Sequence, residues 1–220
     1  GSATAFELAK RGYKTLNIDK LPASGYGSTS NSCAIVRAHY STWDGVAMAY
    51  EGFFYWDDWN KYLEVEDERG MAKYMKTGSI MFMLKGADHS KKSLNLFKEI
   101  GVEHEIWDLE TLKKKMPIYS HDSYNGTSRP DEDDSFFDKS GDQIEGAVWT
   151  PGSGYVSDPQ LATHNLQVAT EAKGGEFLFD AEITEIRQSN GQIQGVTLKS
   201  GEQIDCKVLV NVAGPHSFII

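Results

Sequence analysis

The first nineteen residues, GSATAFELAKRGYKTLNID, restrict the fold more than any other stretch of the chain. They read as an amphipathic helix with Ala3, Ala5, Leu8 and Ala9 facing inward, Glu7, Lys10 and Arg11 facing outward, and Gly12 as its stop. A short strand over residues 15–18 follows and carries an acid, Asp19, at its end. In a nucleotide-binding βαβ unit the glycine that opens the helix allows close helix–strand packing. The helix N-terminus then faces a pyrophosphate, and the acid after the second strand binds a ribose hydroxyl pair. On this reading Gly1 is the third glycine of the phosphate motif and Asp19 the ribose ligand. The first strand and first two glycines of such a unit are missing, so the chain is expected to be truncated there. The leading Gly-Ser also has the form of a cleaved tag scar.

Charge narrows the partners. With 32 acidic and 22 basic residues the net charge is −10, which repels nucleic acid and anionic membrane surfaces. No apolar stretch approaches the roughly twenty residues that span a bilayer. Cys33 and Cys206 lack CxxC spacing, so neither a zinc site nor a disulfide framework is expected, and a reducing cytoplasm is the default. The six histidines are scattered, and no metal is expected.

A second informative run, GYGSTSNSCAIVRAHY, covers residues 25–40. Five of its first eight residues are Gly or Ser, a composition that lets backbone amides approach an anionic or planar ligand before the chain enters the apolar Ala34-Ile35-Val36 segment. The run resembles the segment after the second strand in the FAD-dependent D-amino-acid oxidase and sarcosine oxidase superfamily, where a G-S/N-x6-I-[VI]-R pattern lies against the flavin. The likeness continues through Tyr40 to Asp44 and is nearest to the β subunits of heterotetrameric sarcosine oxidases.

Two further stretches agree with that resemblance. QIDCKVLVNVAGPHS, residues 203–217, is similar to the strand and N-x-A-G-x-W/H-S turn that bring the chain back beside the cofactor. Before it lies a three-stranded meander over 182–187, 192–199 and 203–206, joined by Asn190-Gly191 and Ser200-Gly201; Asn-Gly between alternating apolar flanks is a strong hairpin signal.

The middle of the chain has another character. Residues 45–64 read as one long helix dense in aromatics (Tyr50, Phe53, Phe54, Tyr55, Trp56, Trp59, Tyr62), expected chiefly as core. A strand is expected over 77–84, a helix over 88–100 with Leu94, Leu96, Phe97 and Ile100 as its apolar residues, and a short helix over 108–115 capped by Asp108. The polar stretch 119–141, with its acidic run after Arg129, reads as a solvated loop. A strand over 144–150 then leads to Asp158 and Pro159, the N-cap and first residue of a helix reaching about Lys173.

The resemblance implies an α/β (mixed α+β) fold with a Rossmann-like FAD-binding domain and β-meander. Residues 1–44 and 150–220 are assigned to that domain and residues 45–149 to an inserted, incomplete substrate-domain segment. It further implies an FAD-dependent oxidoreductase acting on the C–N bond of a secondary or primary amine, such as sarcosine, another N-methyl amino acid or a D-amino acid. Arg37 matches the arginine that faces the flavin and pairs with a substrate carboxylate. FAD contacts are assigned to Gly1, Asp19, Lys20, Gly27, Ser28, Thr29, Ser30, Ser32, Cys33, Ile183, Ala213 and Gly214. Ala34 stands where monomeric sarcosine oxidases carry a second arginine, a departure that leaves the amine open. His39 and His216 are read as packing or hydrogen-bonding residues. The chain is expected to stop short of the family's C-terminal segment, to be inactive alone, and to associate with itself or a partner subunit. The alternatives are an NAD(P)-dependent dehydrogenase, which would continue in alternating βα units, and a non-catalytic nucleotide-binding fragment.

Overall fold

The computed structural model describes residues 1–86, 88–124 and 129–218. In chain order its elements are α1 (Ser2–Lys10), β1 (Leu16–Ile18), β2 (Ile35–Val36), α2 (Trp43–Asp57), α3 (Trp59–Leu63), β3 (Tyr74–Met75), β4 (Ser79–Met83), α4 (Asp88–Ile100), β5 (Glu105–Asp108) and α5 (Leu109–Lys115). There follow β6 (Asp122–Tyr124), β7 (Lys139–Gln143), β8 (Gly146–Thr150), β9 (Gly154–Val156), α6 (Pro159–Ala172), β10 (Glu176–Leu178), β11 (Ile183–Ser189), β12 (Gln192–Leu198), β13 (Gln203–Asp205) and a 3-10 turn at Gly214–His216. The class is the expected mixed α/β. Two compact units are formed, one from Gly1–Ala34, Asp58–Lys73 and Val156–Ile220, the other from Ile35–Asp57 and Tyr74–Tyr155. The chain therefore changes unit after residues 34, 57, 73 and 155.

In the first unit α1 packs on α6, and β1 pairs in parallel with β10, Leu16 opposite Glu176 and Ile18 opposite Leu178. The end of α1 is closed as its sequence predicts. Gly12, at φ +83°, donates to the Ala9 carbonyl at 2.9 Å while the Tyr13 amide reaches back to Leu8 at 3.1 Å. Its buried stripe is Ser2, Ala5, Phe6 and Ala9, whereas Ala3 is exposed and Leu8 half-buried. Phe6 decides this rotation: its ring meets Tyr62 edge-on at 5.2 Å and is wholly enclosed, a larger gain than burying the Ala3 methyl. Asp158 caps α6 by accepting from the Leu161 amide at 2.9 Å.

The meander forms β11–β12–β13, turning at Asn190 (φ 51°) and Gly191 (φ 74°). Beyond β13 the expected strand does not form. Residues 208–213 join no sheet among the described residues, and Val208, Val210 and Val212 are exposed. Alternating valines favour an extended backbone, but only a neighbouring strand can complete a ladder.

In the second unit β8 lies between β4 and β5, antiparallel to both, with Met81 opposite Val148 and Trp107 opposite Ala147. Phe53 of α2, Phe97 of α4, Val46, Met81 and Val148 share one apolar cluster; Leu112 and Ile144 share another with Trp107, whose indole stacks on Trp149 at 5.1 Å. Asp108 caps α5 through the Thr111 amide at 2.8 Å. Within the polar stretch 119–141, β6 and β7 pair as a hairpin, and residues 125–128 lie outside the described residues.

The expected single helix over 45–64 is two helices. It starts earlier, at Trp43, where the Thr42 hydroxyl accepts from the Gly45 amide at 3.2 Å, and it breaks at Asp58 (φ −113°, ψ 39°). The break lets Phe53 serve the core of one unit and Trp59 that of the other. Phe54 and Tyr55 are exposed, so the aromatic run is only in part core.

Candidate functional site

Asp19 follows β1 directly. Its amide donates to the Leu178 carbonyl at 3.0 Å, its carbonyl accepts from Ala181 at 3.0 Å, and its Oδ1 accepts from the Leu21 amide at 3.0 Å. The last bond is an Asx turn that holds the carboxylate at the C-terminal end of a parallel strand, where ligands of such sheets bind. A carboxylate has about four acceptor positions, so this turn leaves capacity for two hydroxyl donors. The Gly1 amine is close enough to feel the Asp19 charge, although burial sets the net direction and holds that amine below its usual range. The Leu21 carbonyl accepts from Asp180 at 3.2 Å, tying the turn to the segment that enters β11 at Ile183. Lys20 sits within Coulombic reach of Glu182. A cavity of about 420 Å³ opens at this corner, lined by Lys20, Leu21, Phe179, Asp180, Glu182 and Lys199 among others. Gly1, Asp19 and Lys20 thus lie near one end of the β1–β10 pair, whereas Ile183 opens the separate β11–β12–β13 sheet.

The glycine- and serine-rich run forms a compact loop whose base is pinned to α6. Ser24 Oγ donates to Gln167 at 2.8 Å, and Gly25, at φ +82°, lies so near Thr163 that a Cβ there would stand 3.0 Å from its side chain. Gly27, Ser28, Thr29, Ser30, Ser32 and Cys33 are all exposed. Part of the expected donor set is spent inward. The Ser30 amide bonds to the Gly25 carbonyl at 2.9 Å and the Ser32 amide to Thr29 at 3.2 Å; the Ser32 hydroxyl also bonds to Thr29, at 2.9 Å, and Asn31 Nδ2 to Gly27 at 2.9 Å. A short loop of small polar residues satisfies its own backbone first. Ala213 and Gly214 lie in an exposed turn held by Asn211, whose Oδ1 accepts from Ala213 at 3.2 Å. No hydrogen bond among the described residues ties that turn to Asp19 or to the 27–33 loop.

Arg37 belongs to the second unit, just after β2. Its Nη1 donates to the His39 carbonyl at 2.8 Å, and its guanidinium carbon lies 5.4 Å from the centre of the Tyr40 ring. The rest of the exposed guanidinium fork offers further donors in one plane. His39 is buried, with Nε2 at 2.7 Å from Thr150 Oγ1 and 3.5 Å from Ser79 Oγ. Burial, and then the charges of Arg37 and His89, push its imidazole down to about 4, so it is neutral at physiological pH and serves as the hydrogen-bonding residue expected from sequence.

One polar network was not legible in the chain. Buried Asn165 of α6 accepts at Oδ1 from Trp59 Nε1 (3.2 Å) and the Ala72 amide (2.9 Å), and donates at Nδ2 to Asp67 (2.8 Å) and the Gly70 carbonyl (2.9 Å). His164 meets the same carboxylate at 2.5 Å. Among the described residues no cluster of His, Cys, Asp or Glu could hold a metal ion, and no helix is long and apolar enough to cross a membrane.

The donor set at the Asp19 corner suits a dinucleotide: a carboxylate for ribose hydroxyls beside the N-terminus of a nine-residue helix, whose first amides have no intrahelical acceptor. The profile of the family described as "DAO: FAD dependent oxidoreductase" matches residues 1–220. L-proline dehydrogenase from P. horikoshii superposes with a TM-score of 0.75 at 20% identity, over 100% of this chain and 51% of its own. Glycine oxidase from Geobacillus kaustophilus gives 0.67 at 18% identity over 94% and 50%, and L-amino acid deaminase from Proteus myxofaciens 0.65 at 15% over 94% and 41%. This chain thus spans about half the length of these solved structures. No curated protein matches it.

Proposed function

This chain belongs to the DAO family of FAD-dependent oxidoreductases, and from that premise we propose that the intact protein oxidises the C–N bond of an amino acid or related amine, with N-methyl amino acids such as sarcosine, and D-amino acids, as the candidate substrates. The observation that carries the proposal is the family match along the whole of residues 1–220. The neighbours are, by name, a proline dehydrogenase, a glycine oxidase and an amino acid deaminase, and each of those amino acids joins a C–N bond to a carboxylate.

Bound FAD supplies the acceptor for a hydride equivalent leaving the carbon beside nitrogen. The substrate amine becomes an imine, which takes up water and separates into a carbonyl compound and the free or demethylated amine. Asp19 holds the ribose, the first turn of α1 with Gly1 the pyrophosphate, and Lys20 and Ile183 the adenosine end. Gly27, Ser28, Thr29, Ser30, Ser32 and Cys33, with Ala213 and Gly214, contact the remainder of the cofactor. Arg37 receives the substrate carboxylate in its planar fork. Flavin absorbance in the purified intact protein tests the cofactor. Arg37→Lys tests the carboxylate role: a point charge replaces a two-pronged donor, so the Michaelis constant for sarcosine should rise roughly tenfold or more. Flavin loss without selectivity for carboxylated substrates would make Arg37 a structural residue instead.

A further inference from the structure

We propose that Tyr40 is the positioning residue that presets the Arg37 guanidinium for a carboxylate, an inference that rests on the carboxylate-binding reading of Arg37. A free arginine side chain loses rotamer freedom when fixed, and a binding site gains affinity by paying that cost before the ligand arrives. Here two groups restrain it. The His39 carbonyl takes one Nη1 donor at 2.8 Å, and the Tyr40 ring lies 5.4 Å from the guanidinium carbon, within cation–π range.

The backbone that carries the ring is held at both ends. The Tyr40 amide donates to the Ala38 carbonyl at 2.9 Å, and its own carbonyl accepts from the fully buried Ser93 hydroxyl at 3.1 Å. Gly45 leaves room beside it, since a Cβ at that position would stand 3.2 Å from Tyr40 Cβ. The preceding residue is locked too, through His39 and Thr150. Yet the Tyr40 side chain remains 44% exposed. A tightly held backbone carrying a half-exposed ring against an exposed arginine contributes little to the core and much to the direction of the guanidinium.

The test uses acetate as a probe anion and acetamide as its neutral counterpart, titrated into the intact protein by calorimetry, with sarcosine and dimethylamine turnover in parallel. Tyr40→Leu should weaken acetate binding about two- to fivefold, the size of an exposed cation–π contact, and raise the sarcosine Michaelis constant similarly while leaving kcat, acetamide and dimethylamine unchanged. Tyr40→Phe, which keeps the ring, should behave as the parent. Tyr40→Gln replaces Tyr40→Leu where the latter does not fold. Equal losses for acetate and acetamide, or a loss shared by Tyr40→Phe, would overturn the proposal in favour of a packing or hydroxyl role. Unchanged acetate binding in Tyr40→Leu, with binding abolished in Arg37→Met, would overturn it while leaving the Arg37 reading intact. Unchanged acetate binding in Arg37→Met would remove both.

Discussion

Asn165 Nδ2 donates to Asp67 Oδ2 at 2.8 Å, joining residues 98 apart in sequence. The bond anchors the stretch after α3 to α6 at a point where the Asp67 side chain is only 2% exposed. Burial opposes the charged form of Asp67, but the Arg69 amide, His164 and Asn165 together outweigh it and hold the carboxyl below its usual range.

Asn165→Ala removes partners from Asp67, Gly70, Ala72 and Trp59 at once. Buried groups left without partners cost about 1–3 kcal/mol each, less whatever relaxation recovers, so a loss of about 2–4 kcal/mol is expected. Urea denaturation measures it. A change below about 1 kcal/mol would mean that water replaces the side chain easily.

The low pKa of His39 gives stability a definite pH dependence. The unfolded chain takes up a proton near pH 6.5 and the folded protein only near 4, so stability is full above the first value and falls as pH drops toward the second. By about pH 5 the loss is about 2 kcal/mol. Denaturation midpoints at neutral and acid pH should converge in His39→Gln; an unchanged pH slope in that variant would assign the effect to other groups.

Asp19→Ala should weaken FAD retention by about 1–3 kcal/mol, the range for charge-assisted hydrogen bonds. Because Oδ1 also supports the turn through Leu21, Asp19→Asn separates the two roles: the amide keeps the turn but offers the ribose fewer acceptors. Flavin content and fluorescence titration report the result, and parent-like affinity in both variants would exclude Asp19 as the ribose ligand.

Gly25→Ala tests the seat of the 25–33 loop. The backbone at φ +82° disfavours a side chain, and the new methyl would press on Thr163 at 3.0 Å. A destabilisation of about 1–3 kcal/mol is expected, relieved in part by Thr163→Ala, which removes the Oγ1 and Cγ2 atoms at 3.2 and 3.4 Å. Thermal unfolding of the single and double variants measures the coupling.

Features closed by bonds within a few residues were legible in the sequence. Asp108 and Asp158 cap α5 and α6 through Thr111 and Leu161, Gly12 ends α1, and Asn190-Gly191 turns the meander, each where its residue type demands. The position of Asp19 after a strand followed from the same local logic. The remainder needed partners from distant sequence. Phe6 turned the face of α1 toward Tyr62, and the chain broke at Asp58 so that Trp59 could reach Asn165. Residues 208–213 join no sheet among the described residues, because extended propensity cannot supply the second strand of a ladder. Local hydrogen bonds are set by residue type and spacing alone, whereas burial and strand pairing depend on which surfaces the folded chain brings together, and that was decided only in three dimensions.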